Sequence, residues 1–253
     1  MMAAIPGALE CSAPDDTFPC GIQRDRWAVA LCQEHRYPEC PTPMKLFCSL
    51  TPSHELLFHS YFRPTLPAGF DLQIIRSSGA GQGDFLSADW SQAVMEKGQA
   101  ICQSLRENHG EVIVWSDVDV QFLALQTADL SALLTQSGRE ILFQREWREA
   151  EEANAGFFVC RSTAAVIALF DGVLEDMAGL DVPRNQPAIN TRLQHPQPAV
   201  AWGYLPLSFY ARTHGWPPPA DLALHHANGT VGKNTVARKI AQFEEVRAFI
   251  AAR

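Results

Sequence analysis

The chain has 253 residues, 47% of them hydrophobic, and a formal net charge of −8. That is enough apolar material for one large α/β domain, and no apolar run approaches the ~18–20 residues a membrane span needs. The acidic balance and scattered lysines and arginines, apart from a modest cluster at Lys233, Arg238 and Lys239, argue against nucleic acid, whose binders carry a basic stripe.

Residues 1–43 differ from the rest. They are rich in proline, cysteine and charge, hold one short helical candidate at Arg26–His35, and end on Pro38, Pro41 and Pro43. They read as an N-terminal appendage, or an upstream misassigned start, to a domain over residues 44–253. Met1–Asp16 shows neither a basic n-region nor an apolar h-region, so the expectation is a cytoplasmic protein without a signal peptide. Cys11, Cys20, Cys32 and Cys40, with His35, lack the CxxC spacing of a zinc knuckle and read as reduced thiols, with zinc the alternative. Cys48, Cys102 and Cys160 lie in apolar segments and read as core residues.

From Met44 onward, strand and helix patterns alternate. Strands are expected at Lys45–Leu50, Leu72–Arg76, Val112–Trp115, Ile141–Gln144, Gly156–Cys160 and Leu222–His226. Helices are expected at His54–Phe62 behind an Ser53 N-cap, Ser87–Asn108, Ala164–Met177, Gln186–Leu193 and Val236–Ala252, with a glycine-rich loop at Gly79–Gly83. Val112-Ile113-Val114-Trp115, a continuous apolar run after a helix, suggests a strand buried on both faces of a parallel sheet. The alternation predicts an α/β layered fold.

Four clusters carry chemistry. Ser116-Asp117-Val118-Asp119 follows the buried strand, and ligands of open α/β sheets bind at the carboxyl ends of strands. Carboxylates at i and i+2 on an extended chain face one side and repel unless a cation or proton sits between them; oxygen ligands suit Mg²⁺, Ca²⁺ or Mn²⁺. A solvated turn is the bland alternative. The second cluster is His225-His226-Ala227-Asn228-Gly229-Thr230-Val231-Gly232-Lys233. A histidine beside two carboxylates tilts the choice toward Mn²⁺, Gly229 and Gly232 let backbone approach a ligand, and Lys233 can act as a point charge on phosphate. The third, Asn154-Ala155-Gly156-Phe157, offers an amide to sugar hydroxyls. The fourth, Asn185-Gln186-Pro187-Ala188-Ile189-Asn190, opens a helix, where Asn185 is also a candidate N-cap. Lys97 falls between Val94 and Ile101 on the apolar face of the long helix and either snorkels to its edge or reaches the acidic site. Trp115, Trp147, Trp202 and Trp216 are candidates for stacking a base or sugar, with core packing the alternative.

In this order the four clusters resemble the nucleotide-diphospho-sugar transferase family, of GT-A fold and related to glycosyltransferase family 77. The resemblance covers most of the chain from Met44. It rests on a strand ending in D-x-D (Val112–Asp119), an N-A-G-F segment (Asn154–Phe157), a D-Q-x-x-x-N-like helix start (Asn185–Asn190), and a late histidine with downstream glycine and lysine (His226, Gly229, Lys233). It implies a GT-A-like nucleotide-sugar-binding fold with a central, mostly parallel sheet flanked by helices. It implies a hexosyl- or pentosyltransferase moving a sugar, with retention, from a nucleotide-diphosphate sugar to a hydroxyl on a glycan, protein or small molecule. Asp119 would bind Mn²⁺ (or Mg²⁺), with Asp117 on the metal or the ribose and His226, or alternatively His225, as third ligand. Lys233 would hold the diphosphate, and Asn154 and Gln186 would line the sugar and acceptor side, with Asn185 beside them as a catalytic candidate; the reading of the residues adds Lys97, Gly229 and Gly232 as candidates on the nucleotide side. One departure stands out: the family has Asp where this chain has Asn185. Two rivals follow. A catalytically decayed nucleotide-sugar-binding scaffold would fit Asn185. A sugar-phosphate nucleotidylyltransferase would need a basic glycine-rich loop where Ser49-Leu50-Thr51-Pro52-Ser53 stands.

Overall fold

The computed structural model describes residues 43–78, 87–149, 151–194, 199–212 and 216–253. The Arg26–His35 helix, the four early cysteines and the Gly79–Gly83 loop lie outside the described residues.

The domain is built on a six-stranded sheet. Its strands are β1 (Met44–Leu50), β2 (Phe70–Arg76), β3 (Val112–Ser116), β5 (Ile141–Arg145), β6 (Ala153–Arg161) and β7 (Trp202–Tyr204), in the spatial order β2-β1-β3-β6-β5-β7. Five run parallel; β6 alone is antiparallel to both its neighbours. A second sheet, β4 (Val120–Phe122), β9 (Leu224–His226) and β8 (Phe209–Ala211), stands beside it.

Both faces of the large sheet are covered, as the unbroken apolar run of β3 demands. Ile113 and Trp115 point to one side, where they meet Phe47, Phe158 and Cys160 and the apolar faces of α1 (Ala88–Glu107), α3 (Ala164–Ala178) and α4 (Asn185–Gln194). Val114 points to the other and joins Leu46, Cys48, Phe157 and Val159, with Phe58 and Phe62 packed over them. Leu130 and Leu134 of α2 (Thr127–Ser137) complete that layer. Cys48, Cys102 and Cys160 are buried thiols, as their apolar surroundings predict. α5 (Thr235–Ala251) closes the chain.

The expected strands and helices are present within a few residues. The first helical stretch is less regular than its pattern: a 3-10 turn (Pro52–His54), an α turn (Glu55–Leu57), a π turn (Phe58–Phe62) and a final α turn (Arg63–Thr65). Ser53 lies inside it rather than capping it, and its Oγ stands 2.9 Å from His54 Nδ1. By contrast Ser87 does cap α1, accepting from Trp90 N at 3.1 Å. Four elements had no sequence-based expectation: β4, α2, β7 and β8. Three are three-residue strands, too short for a period to register. α2 buries only the Leu130–Leu134 side and owes its ends to a Gln126/Asp129 capping box and a left-handed Gly138.

Candidate active site

The parallel strands β1, β3 and β5 all end at one edge of the sheet, and the antiparallel β6 begins there. That edge opens into a cavity of about 430 Å³. Ser49 and Thr51 enter it from β1, Asp117 and Asp119 from β3, Glu146 from β5, and Asn154 from the start of β6.

Asp117, Asp119 and His226 each present a ligand atom within 4.8 Å of the others. Asp117 N donates to Gly156 O at 2.7 Å, which ties the D-x-D segment to β6. The Asp117 carboxylate takes Lys97 Nζ at 2.6 Å and the indole N–H of Trp115 at 3.4 Å. Lys97 therefore reaches the acidic site from the apolar face of α1. Asp119 is buried, bonded by Lys239 Nζ, with His226 Nε2 at 3.3 Å from Oδ1. Burial by itself raises the Asp119 carboxyl; the charges and hydrogen bonds of Lys239 and His226 outweigh it and hold the group well below the usual carboxylate range.

His226 is aimed by the protein. Gln144, fully buried on β5, donates its Nε2 to Phe209 O at 3.1 Å. Its Oε1, 2.9 Å from His226 Nδ1, therefore accepts, and Nδ1 carries a proton. Nε2 is thereby left facing the Asp119 carboxylate, where a proton or a cation belongs between them.

The sheet makes room for this. The β5–β6 pairing shifts register between Phe143, opposite Phe158, and Gln144, opposite Asn154. This bulge sets Gly156 against the His226 ring, where a Cβ would stand 2.2 Å from Cε1 and 2.9 Å from both Nε2 and Asn154 Oδ1. Only glycine leaves space for the imidazole.

His225, the alternative ligand, points the other way because neighbouring strand residues alternate faces. It stacks on Tyr210 and meets Phe243 edge-on, with neither ring nitrogen hydrogen-bonded, and burial pushes its pKa down to about 3. Gly229, at φ 69°, lines the cavity. Gly232, at φ 89°, adopts a left-handed turn with open space around its Cα and is not among the lining residues; Lys233 beside it is exposed and also lies off the lining. The lysine that faces the carboxylates is Lys239, on α5. That helix is docked by Tyr61 stacked on Phe243 (4.7 Å between centroids), by Tyr61 Oη donating to Glu244 at 2.8 Å, and by Gln242 Nε2 donating to Asn228 O at 3.0 Å.

Asn154, Asn185 and Gln186 share the cavity with Glu146. Gln186 accepts from Ala155 N at 3.3 Å and donates to Glu152 at 3.1 Å. Asn190 clasps Ala153 with two bonds of 2.8 Å. Much of the Asn185–Asn190 motif thus serves to dock α4 on β6. Asn185 is the first residue of α4, and its Nδ2 is buried without a hydrogen-bond partner. Trp115 is core, Trp202 packs on Tyr204 and Trp216 on Tyr210; a tryptophan that lines the cavity is Trp90 of α1.

Glu146, Lys239 and Gln144 are among the site residues that had no sequence-based expectation. Glu146 follows a parallel strand at its carboxyl end, which is the signal that could have found it. Lys239 sits four residues before Phe243 on the closing helix, on its buried side. Gln144 gave no signal, because its role exists only through contact with two distant strands.

No family model matches the chain, and no curated protein matches it. Solved structures do. A glycosyltransferase involved in the glycosylation of the major capsid of PBCV-1 superimposes with a TM-score of 0.53, at 12% identity, over 78% of this chain and 97% of that one. The chain has the fold of a glycosyltransferase. The expected GT-A-like architecture, a mostly parallel sheet flanked by helices, is the one observed. Two more glycosyltransferases lie further off. Apo mouse xyloside xylosyltransferase 1 has a TM-score of 0.46 at 11% identity, over 74% and 98% of the two chains. Apo GlyE of Streptococcus pneumoniae TIGR4 has 0.49 at 7% identity, over 78% of this chain and 59% of GlyE. Among the described residues, no helix of this glycosyltransferase fold is long and apolar enough to cross a membrane.

Proposed function

We propose that the chain is a metal-dependent glycosyltransferase that transfers a hexose or pentose from a nucleotide-diphosphate sugar to a hydroxyl acceptor, with retention. The observation that carries this reading is the convergence of Asp117, Asp119 and His226, flanked by Lys97 and Lys239, in one cavity at the carboxyl edge of a glycosyltransferase-type sheet.

The donor set fits a divalent cation. Two carboxylates and an imidazole whose lone pair is aimed by Gln144 form a mixed oxygen and nitrogen site, which favours Mn²⁺ over Mg²⁺ or Ca²⁺. When bound, the cation supplies Lewis-acid stabilisation of the charge developing on the departing diphosphate. The residues supply the rest. Lys97 and Lys239 already offset Asp117 and Asp119, so the charge of a cation there is left for the phosphates. Lys239, part-buried beside Asp119, is the lysine we assign to the diphosphate; Lys233, exposed, is left at most a role at the rim. Asn154, Asn185 and Gln186, beside Glu146, form the sugar end. Ser49, Thr51 and His54, where β1 ends, are left for the nucleoside.

Thermal unfolding with UDP and GDP, each with and without Mn²⁺, tests the reading. A ligand at about 100 times its Kd stabilises by ~2.7 kcal/mol, roughly 5–10 °C for a domain of this size. The shift should require nucleotide and Mn²⁺ together and vanish in Asp117→Asn. Folded protein that responds to no nucleotide would favour the decayed scaffold. Product NMR showing an inverted anomer would remove retention.

A further inference from the structure

The carboxylates of the cavity are already answered, but a cation on its wall is not. Asp117 is paired with Lys97, Asp119 with Lys239, and Glu146 accepts from Asn154 and Asn228. Arg184 lines the same cavity, at the end where Asn185, Gln186 and Pro187 enter it. It is exposed, and among the described residues its guanidinium forms no ion pair and no hydrogen bond.

Beside it stands an amide in the same condition. Of the amides in the Asn185–Asn190 segment, Gln186 and Asn190 are spent on docking α4 against β6. Asn185 is not: its Nδ2 is buried with no hydrogen-bond partner. Nor does it cap the helix. Ala188 N donates to Arg184 O at 3.4 Å, so Arg184 holds the capping position and Asn185 lies inside it. No bond within the fold therefore accounts for this side chain, and a buried donor without an acceptor is unfavourable until a partner arrives. With no hydrogen bond fixing it, and with a broad, two-fold terminal torsion, the amide can turn its donor to an oxygen in the cavity.

The two groups call for one kind of partner. A guanidinium offers five donors and no acceptor, in a fork that matches the oxygens of a carboxylate or phosphate. A neutral hydroxyl would satisfy the amide and leave the charge of Arg184 unanswered. The residue at 185 decides whether that charge is available. An aspartate, which the family resembled by the sequence has at this position, would itself pair with Arg184 and repel a second anion. Asparagine leaves the guanidinium to a ligand.

We propose that Arg184 and Asn185 form an oxyanion subsite at the sugar end of the cavity, so that one of the two substrates is an acidic sugar bearing a carboxylate or a phosphate. This deepens the glycosyltransferase reading and rests on it.

The test separates the two ideas and the two possible sources of the anion. Binding of UDP and of GDP, each with Mn²⁺, is measured by calorimetry first. The donor arm then compares UDP-glucuronate with UDP-glucose, UDP-galacturonate with UDP-galactose, and GDP-mannuronate with GDP-mannose. The acceptor arm, on protein holding nucleotide and Mn²⁺, compares glucuronate and glucose 6-phosphate with glucose by ligand-observed NMR. Exposed ion pairs contribute little, so the acidic member should bind about fivefold more tightly than its neutral partner in one of the arms. Arg184→Gln should remove that advantage and leave the affinity for the parent nucleotide unchanged. Asn185→Asp should remove it too, by giving Arg184 an internal partner. If no nucleotide binds wild type, the glycosyltransferase reading falls. If a nucleotide binds, and neither arm favours the acidic member or the advantage survives either variant, the subsite falls alone.

Discussion

Replacing Gly156 by alanine should dismantle the Asp117–Asp119–His226 cluster without touching any of its three residues. The added methyl would stand 2.2 Å from His226 Cε1 and 2.9 Å from Nε2. Ordinary carbon contacts are ~3.5–4.0 Å, so ring and strand must part by more than ~1 Å. Neither moves freely. Gln144 pins the ring at 2.9 Å, and Gly156 O is bonded to Asp117 N at 2.7 Å. Overpacking of this kind costs ~1–3 kcal/mol, roughly 2–12 °C in Tm for a domain of this size. Metal–ligand distances tolerate only ~0.2 Å. The displaced imidazole should then leave two carboxylate ligands and reduce Mn²⁺ affinity at least about tenfold, on the scale of losing an orienting partner. Mn²⁺ titration by electron paramagnetic resonance in the presence of UDP, on protein verified as folded by circular dichroism, measures this directly. Wild-type Mn²⁺ affinity in Gly156→Ala would refute the claim that this glycine exists to admit His226.

Asp119→Ala leaves Lys239, only 13% exposed, beside the Ala227 carbonyl without its counter-charge; the loss should be ~3–5 kcal/mol, and the double variant with Lys239→Ala should be less destabilised than the sum of the singles in chemical denaturation. His225→Phe should be neutral or stabilising, by up to ~1 kcal/mol in chemical denaturation, because both ring nitrogens lack partners between Tyr210 and Phe243; loss of the Mn²⁺–nucleotide response in the folded variant would show that His225 serves the site after all. Burial tends to raise the Glu96 carboxyl, but hydrogen bonds from Ser77, Ser78 and Gln92 prevail and hold it down to about 2. A depressed carboxyl contributes stability above its unfolded pKa and loses it as pH falls through the folded value. Glu96→Gln should therefore lower stability at neutral pH and flatten the acid-side decline between roughly pH 4.5 and 2 in a pH series of urea melts, the two curves converging at the acid end.

The layered fold was legible because its central strands are apolar on both faces and its long helix carries a clean stripe from Val94 to Leu105. The D-x-D pair was legible because strand order puts a buried strand's carboxyl end at the cleft. Lys97 announced itself as a charge on an apolar face. What escaped the sequence depends on contacts between distant segments. Lys239 was hidden by a more conspicuous neighbour, Lys233, at the end of a glycine-rich stretch whose last residues, Gly232 and Lys233, lie off the cavity lining. His225 and His226 are chemically identical until the pairing of β9 with β4 and β8 decides which face each occupies. The β5–β6 bulge, which brings Glu146, Asn154 and Gly156 to the cavity, leaves no periodic trace, since every residue from Ala153 to Cys160 is buried.

The two lysines on the acidic pair have a consequence for the order of events. With each carboxylate already salt-bridged, an ion entering the proposed site alone would compete with Lys97 and Lys239 without offering them another anion. A diphosphate supplies that anion. If the chain works as proposed, cation and nucleotide are linked ligands: whatever factor the nucleotide adds to the affinity for the ion, the ion must return to the nucleotide. The protein would sense the complex of the two rather than either concentration by itself.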